Sequence, residues 1–142
     1  MRKLLAILFL AAVLPAQTIY GDGWPGTDGE PIIRMGGTAR IGQPFDVHVM
    51  AARDKSPCVL LVGKMGNYRM PWGLPLNVCP VVIGYAFAER RPWAPSDAML
   101  TFHVPNLPAL NWARVAFQWL VYDPKAVGNL AATKGLLVTV AP

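Results

Sequence analysis

A chain of 142 residues is enough for one ordinary domain, and its formal net charge of +5 comes from 13 Lys and Arg against 8 Asp and Glu. The charges lie singly along the chain apart from Arg90-Arg91, which argues against a nucleic-acid partner, since that function uses clustered basic residues. Two cysteines without a matching histidine pair do not make a zinc site, and no motif for a resident cofactor or metal is present.

The first element is an export signal. Arg2 and Lys3 form a basic start, Leu4 to Leu14 are uninterruptedly apolar, and Pro15-Ala16-Gln17 offers a cleavage point after Ala16. The apolar run is short for a bilayer span, which needs about 20 residues. No cysteine follows it, which speaks against a lipoprotein anchor. The expectation is therefore a signal peptide at 1–16 and a single domain at 17–142, placed in the periplasm, at the cell surface or in the medium. Losing Arg2 and Lys3 lowers the net charge from +5 to +3.

Along the remainder, 13 glycines and 14 prolines punctuate short apolar runs, a rhythm of strands and turns. Phe45 to Val49 alternates as a strand with one buried face. Cys58 to Val62 is continuously apolar and reads as a strand covered on both sides. Lys64 to Pro75, with Gly66-Asn67, Pro71 and Gly73, reads mostly as loop. Leu76 to Val78 and Val81 to Phe87 read as strands flanking Cys79-Pro80. Ala98 to Val104 alternates again. In the longest pattern, Trp112 to Tyr122, Ala113, Val115, Phe117, Trp119 and Val121 share an inward face, while Arg114 and Gln118 point outward. Pro124 to Thr133 offers a weak helical turn, and Leu136 to Val140 closes the domain. Seven to nine strands with regular turns predict an all-β, two-sheet antiparallel sandwich, immunoglobulin-like or jelly-roll-like.

In an oxidising compartment, an even cysteine count favours one disulfide, Cys58–Cys79. It would close a loop of about 20 residues, worth roughly 3 kcal/mol in the chain-entropy model. Two free thiols are the rival reading.

The segment Tyr20-Gly21-Asp22-Gly23-Trp24-Pro25-Gly26-Thr27-Asp28-Gly29-Glu30-Pro31 resembles the opening of a β-sandwich module in large secreted proteins of planctomycete-type bacteria, Tyr-Gly-x-Gly-Cys-Pro-Gly followed by a Gly and a Pro a few residues later. Ile41 to Phe45, Val59 to Gly63, Phe117-Gln118-Trp119-Leu120-Val121-Tyr122-Asp123-Pro124 and Gly135 to Val140 also fit that pattern. The resemblance spans nearly the whole of 17–142 and implies an extracellular structural or adhesive module, without an activity to carry over. Trp24 stands where the family has its early cysteine, so the family's usual bridge does not form.

Asp22, Asp28 and Glu30 in their Gly-rich segment are the candidate calcium ligands, with ordinary turn chemistry the preferred reading. Asp46, His48 and His103 are the nearest approach to a catalytic set. The serines, Ser56 and Ser96, each stand beside a proline in a turn, outside any nucleophile elbow, and solvated strand positions explain the set better. Trp72, Trp93 and Tyr68, with Tyr85 and Trp112, are the candidate binding aromatics, because rings in Pro-rich loops stack on sugars or on a protein partner. Arg69, Arg90, Arg91 and Arg114 are candidates for an acidic partner. The chain thus reads as a non-enzymatic structural or adhesive protein. It would work through a protein partner or self-association at an apolar patch or sheet edge. The alternative is a carbohydrate-binding module acting on polysaccharide.

Overall fold

Alternating apolar residues and turn-forming Gly and Pro build nine strands in the computed structural model, which describes residues 16–142. They are β1 (Gln17–Tyr20), β2 (Ile32–Gly36), β3 (Pro44–Met50), β4 (Pro57–Arg69), β5 (Pro75–Phe87), β6 (Ala98–His103), β7 (Arg114–Tyr122), β8 (Leu130–Ala132) and β9 (Gly135–Thr139). Short 3₁₀ turns stand at Pro108–Leu110 and Val127–Asn129. The expected export segment lies, but for Ala16, outside the described residues. No helix among the described residues is long and apolar enough to cross a membrane.

The strands form two antiparallel sheets, a β-sandwich as expected. The large sheet runs β1-β9-β7-β4-β5, with β8 on the far end of β7, and the small sheet runs β2-β3-β6. Side chains alternate between faces along every strand, so each sheet sends one set inward. From the small sheet come Ile33, Met35, Phe45, Val47 and Val49; from the large sheet come Leu60, Phe117, Trp119, Val121, Leu136 and Val138. Phe45, Phe102 and Phe117 pack together with ring centres 5.3 to 5.9 Å apart. The inward set expected from the alternation of β7 is the set observed.

A second apolar cluster occupies the outer face of the large sheet, where Leu61, Val78, Ala116 and Leu137 are buried and Tyr20, Val59, Leu76 and Leu120 pack against them. Its cover is the tip of the β4–β5 hairpin. The pairing of β4 with β5 shifts register between Val62 and Gly63 and again between Met65 and Tyr68. Such bulges bend a strand pair sharply. Gly63 sits at the first bend, and a β-carbon there would stand 2.1 Å from the Cys79 carbonyl oxygen, so only glycine permits the approach. Beyond the bend the hairpin folds back as a lid over its own sheet.

Gln118 holds that lid. It projects from the outer face of β7 yet is fully buried. Its Oε1 accepts the Asn77 N–H at 2.8 Å, and its Nε2 donates to the Pro75 carbonyl at 3.0 Å and the Thr133 carbonyl at 2.9 Å. Asn77 in turn donates to the Asp22 carbonyl and accepts the Tyr20 hydroxyl at its own carbonyl. The lid is why Lys64 to Pro75, read as loop, continues as strand to Arg69. Gly66-Asn67 marks a bulge there, and Cys79-Pro80 lies within one continuous β5.

The Cys58–Cys79 disulfide is not formed; both thiols are free. Cys58 pairs with Ala86, whereas Cys79 pairs with Lys64. Six residues of β4 separate those positions, about 20 Å along the strand. A disulfide needs α-carbons within about 7 Å. Cys58 is buried against the inter-sheet core and Cys79 is exposed at the bend. Burial pushes the Cys58 thiol up to about 11, so it stays protonated and unreactive at neutral pH.

Replacing Gln118 with Leu leaves the Asn77 N–H and two carbonyls buried without partners, at about 1–3 kcal/mol for each unsatisfied group. Gln118→Leu should lower stability by roughly 3–5 kcal/mol in chemical denaturation, with amide exchange at Asn77 accelerated more than in β3. A stability change under about 1 kcal/mol would remove Gln118 as the anchor. The melting temperature should not move on addition of a thiol reductant; a clear drop would show a disulfide in solution.

Candidate functional site

The candidate calcium ligands, for which turn chemistry is the preferred reading, do not converge on one point. Asp22 pairs with Arg69 at 2.9 Å and Asp28 with Arg90 at 3.0 Å, while Glu30 lies against Gly23. Among the described residues no three His, Cys, Asp or Glu side chains gather as metal ligands do. Arg91 is bound to Glu89 within its own loop, while Arg90, on Asp28 and the Ala52 carbonyl, ties separate loops together. Arg114 stands at the start of β7, opposite Thr139.

The nearest approach to a catalytic set divides. His103 is at the far end of β6, four residues beyond Met99, which pairs with His48. Asp46 accepts the Thr101 hydroxyl at 2.7 Å and does not orient the imidazole. His48 itself is buried, contrary to the solvated position expected for it. Its Nδ1 lies 2.7 Å from the Ser96 hydroxyl, and its Nε2 packs against Gly36. Burial lowers the His48 pKa, with Arg34 adding to the effect against the opposing pull of Asp46. The neutral ring is therefore favoured. Together with the Arg34 bond to the Pro95 carbonyl and the Asp97 carboxylate on the Ala52 N–H, it clasps the 93–97 loop to the small sheet. A cavity of about 280 Å³ lies beside this loop, lined by Phe87, Arg91, Ser96 and Met99 among others. Ser56 is buried, away from His48 in the bonding, with its hydroxyl unpartnered.

The binding aromatics occupy two sides of the sandwich. Tyr68 and Trp72 belong to the folded-back hairpin and are partly exposed, at 56% and 39%. The Trp72 ring lies on Gly128, whose φ of +73° and lack of a β-carbon accommodate it, and the Trp24 ring lies on Gly73. Trp24 also donates its indole N–H to the Val127 carbonyl. Trp93 is 81% exposed in the loop tied to the small sheet, and Trp112 is 61% exposed beside the β9 end. Trp72 and Trp93 therefore do not share one platform.

Asp123, near the end of the Phe117 to Pro124 segment, has no motif around it to mark it. It is buried, and its carboxylate accepts the Thr27 N–H and hydroxyl and the Lys125 N–H. Burial alone would raise its pKa, but these hydrogen bonds, with Arg53 nearby, hold it below the usual carboxylate range. It joins the opening Gly-rich segment to the end of β7.

The largest unpartnered feature is β5. It is the edge of the large sheet, and from Val81 to Phe87 its apolar side chains are exposed on both faces: Val81 76%, Val82 59%, Ile83 47%, Tyr85 70% and Phe87 62%. The three-stranded sheet covers it only in part: Leu100 of β6 lies against Gly84 and Ala86 packs on the core, while Val82 stays exposed. No charge and no proline lies between Val81 and Phe87. That omits the devices by which edge strands are usually blunted. The signal was present in the sequence as an apolar strand, but its place at an edge depends on strand order.

Because the folded state keeps His48 neutral, the unfolded chain binds the additional proton as pH falls below about 6.5. Stability should therefore decline from pH 7 toward pH 5, and His48→Gln should flatten that decline. An equal slope in the variant would assign the acid sensitivity to other groups.

No family model, no curated protein and no solved structure matches this chain.

Proposed function

We propose that this is an exported, non-enzymatic structural or adhesive protein that makes protein–protein contacts through the free edge of β5. The observation that carries the reading is a seven-residue uncharged edge segment, Val81-Val82-Ile83-Gly84-Tyr85-Ala86-Phe87, whose outer face is open and whose inner face is covered only at Gly84 and Ala86. Six- to seven-residue segments of high β-propensity and no charge are those that pair most readily with another strand.

Backbone polarity supports strand addition at this place. Ala88 directs its N–H and its carbonyl toward residues 55 and 56, on the β4 side, while Glu89 sends its N–H the other way, to Asp97. Backbone groups alternate sides along a strand. Ile83, Tyr85 and Phe87 therefore present their N–H and carbonyl groups along the open edge. A partner strand would satisfy those groups and cover the Ile83, Tyr85 and Phe87 side chains at once. The export assignment rests on Arg2-Lys3, the Leu4–Leu14 run and Ala16. The carbohydrate-binding alternative draws less support, because the exposed aromatics do not line up on one face.

Amide spectra should show Ile83, Tyr85 and Phe87 becoming protected when a soluble peptide carrying the Val81–Phe87 sequence is added. Tyr85→Lys should weaken that binding at least tenfold, a loss of about 1.4 kcal/mol. Protection confined to other strands would overturn the edge reading. For export, the protein recovered outside the cytoplasm should begin at Gln17; full-length protein retained inside would refute the signal peptide.

A further inference from the structure

We infer that the strand completing β5 is β5 of a second copy of this chain, paired antiparallel about a two-fold axis through Tyr85. This rests on the reading of the edge as a contact site and names its occupant.

The free edge is closed at both ends by the molecule itself. On one side Pro80 has no N–H to donate and the register shift begins, with Gly63 paired to Pro80 and Val62 to Val82. On the other side the outward N–H of Glu89 is already taken by Asp97. A visiting strand therefore meets three outward-directed residues, Ile83, Tyr85 and Phe87, which are symmetric about Tyr85. An axis at Tyr85 sets Tyr85 against Tyr85, and Ile83 against Phe87 of the other copy. All three outward residues then form closely hydrogen-bonded pairs. An axis at Gly84 would pair Phe87 with Val81, in the register shift, and lose part of the ladder.

Side chains fit the same axis. The facing pairs are aromatic–aromatic and aromatic–β-branched, the combinations that stabilise antiparallel neighbours. A two-fold contact sets a segment against itself, so any charge within it would meet a like charge or an apolar residue; this segment has none. On the inner face, Gly84 would lie opposite Ala86, two small residues where the backbones come closest. The five exposed apolar side chains offer roughly 500 Å² per copy, below the about 800 Å² per partner of a standard interface. The expected dimer is thus reversible, with its two large sheets joined into one.

Light scattering of the purified full protein over a concentration series should show the mass doubling and then levelling off. Tyr85→Lys and Tyr85→Glu should each stay monomeric, because like charges then face each other on the axis. Mixing the two variants should restore the doubled mass. Circular dichroism and melting temperature are read alongside, and monomeric variants that keep the wild-type spectrum carry the result. Doubling in each separate charged variant, or no recovery on mixing, would overturn the Tyr85 axis. Growth into filaments would overturn the closed two-fold. A monomer at every concentration that still takes up the Val81–Phe87 peptide at Ile83, Tyr85 and Phe87 would overturn the self-pairing and leave the edge to a different protein. A monomer that takes up no peptide would remove both readings.

Discussion

Burying a primary amide on the outer face of a sheet is costly unless every donor is used. Gln118 meets that condition by bonding Asn77, Pro75 and Thr133, three positions on two other segments. With it in place, the outer face of the large sheet becomes a second buried layer rather than a solvated one. The lid then sets much of the periphery. Trp72 reaches Gly128, Trp24 covers Gly73, and Arg69 meets Asp22 because the hairpin has been brought back over its own sheet.

The same fold-back divides β5 into two parts with opposite fates. Its first half, through Val78, is consumed as lid. Its second half, from Val81, returns to the plane of the sheet and becomes an edge. A five-strand path facing three strands leaves that edge unpaired, and among the described residues no loop hydrogen-bonds to its backbone before Glu89 meets Asp97. Exposed apolar area on this strand is therefore a product of sheet mismatch as much as of local sequence. The core beneath is buried, with an apolar cavity of about 230 Å³ at one end of it, lined by Phe45, Phe102, Phe117 and Val138 among others.

Two anchors tie the long connections to the sandwich by different chemistry. Asp123 holds Thr27 by two charge-assisted bonds from a buried carboxylate, which also accepts the Lys125 N–H. His48 holds Ser96 through a neutral ring, and that bond depends on burial keeping the proton off. Gly26-Thr27 near the start and the end of β7 meet at the first of these anchors. Nearby, the Trp24 ring packs on Gly73 of the lid.

Period-two alternation determined the strands of β3, β6 and β7 and their inward faces, because a strand with one buried side must alternate whatever its neighbours are. It determined the all-β class and the core position of Trp119 for the same reason. Only the tertiary structure decided which strands became edges, since strand order is set by pairing between distant segments. It alone separated Cys58 from Cys79: both lie on adjacent strands, but register is a relation between strands that spacing along one chain does not contain. It alone turned Gln118 from an outward polar residue into a buried anchor. And it alone buried His48, whose neighbour Asp46, two residues away on the same strand, made its face of β3 read as open to water, until the loop bearing Ser96 was laid across it.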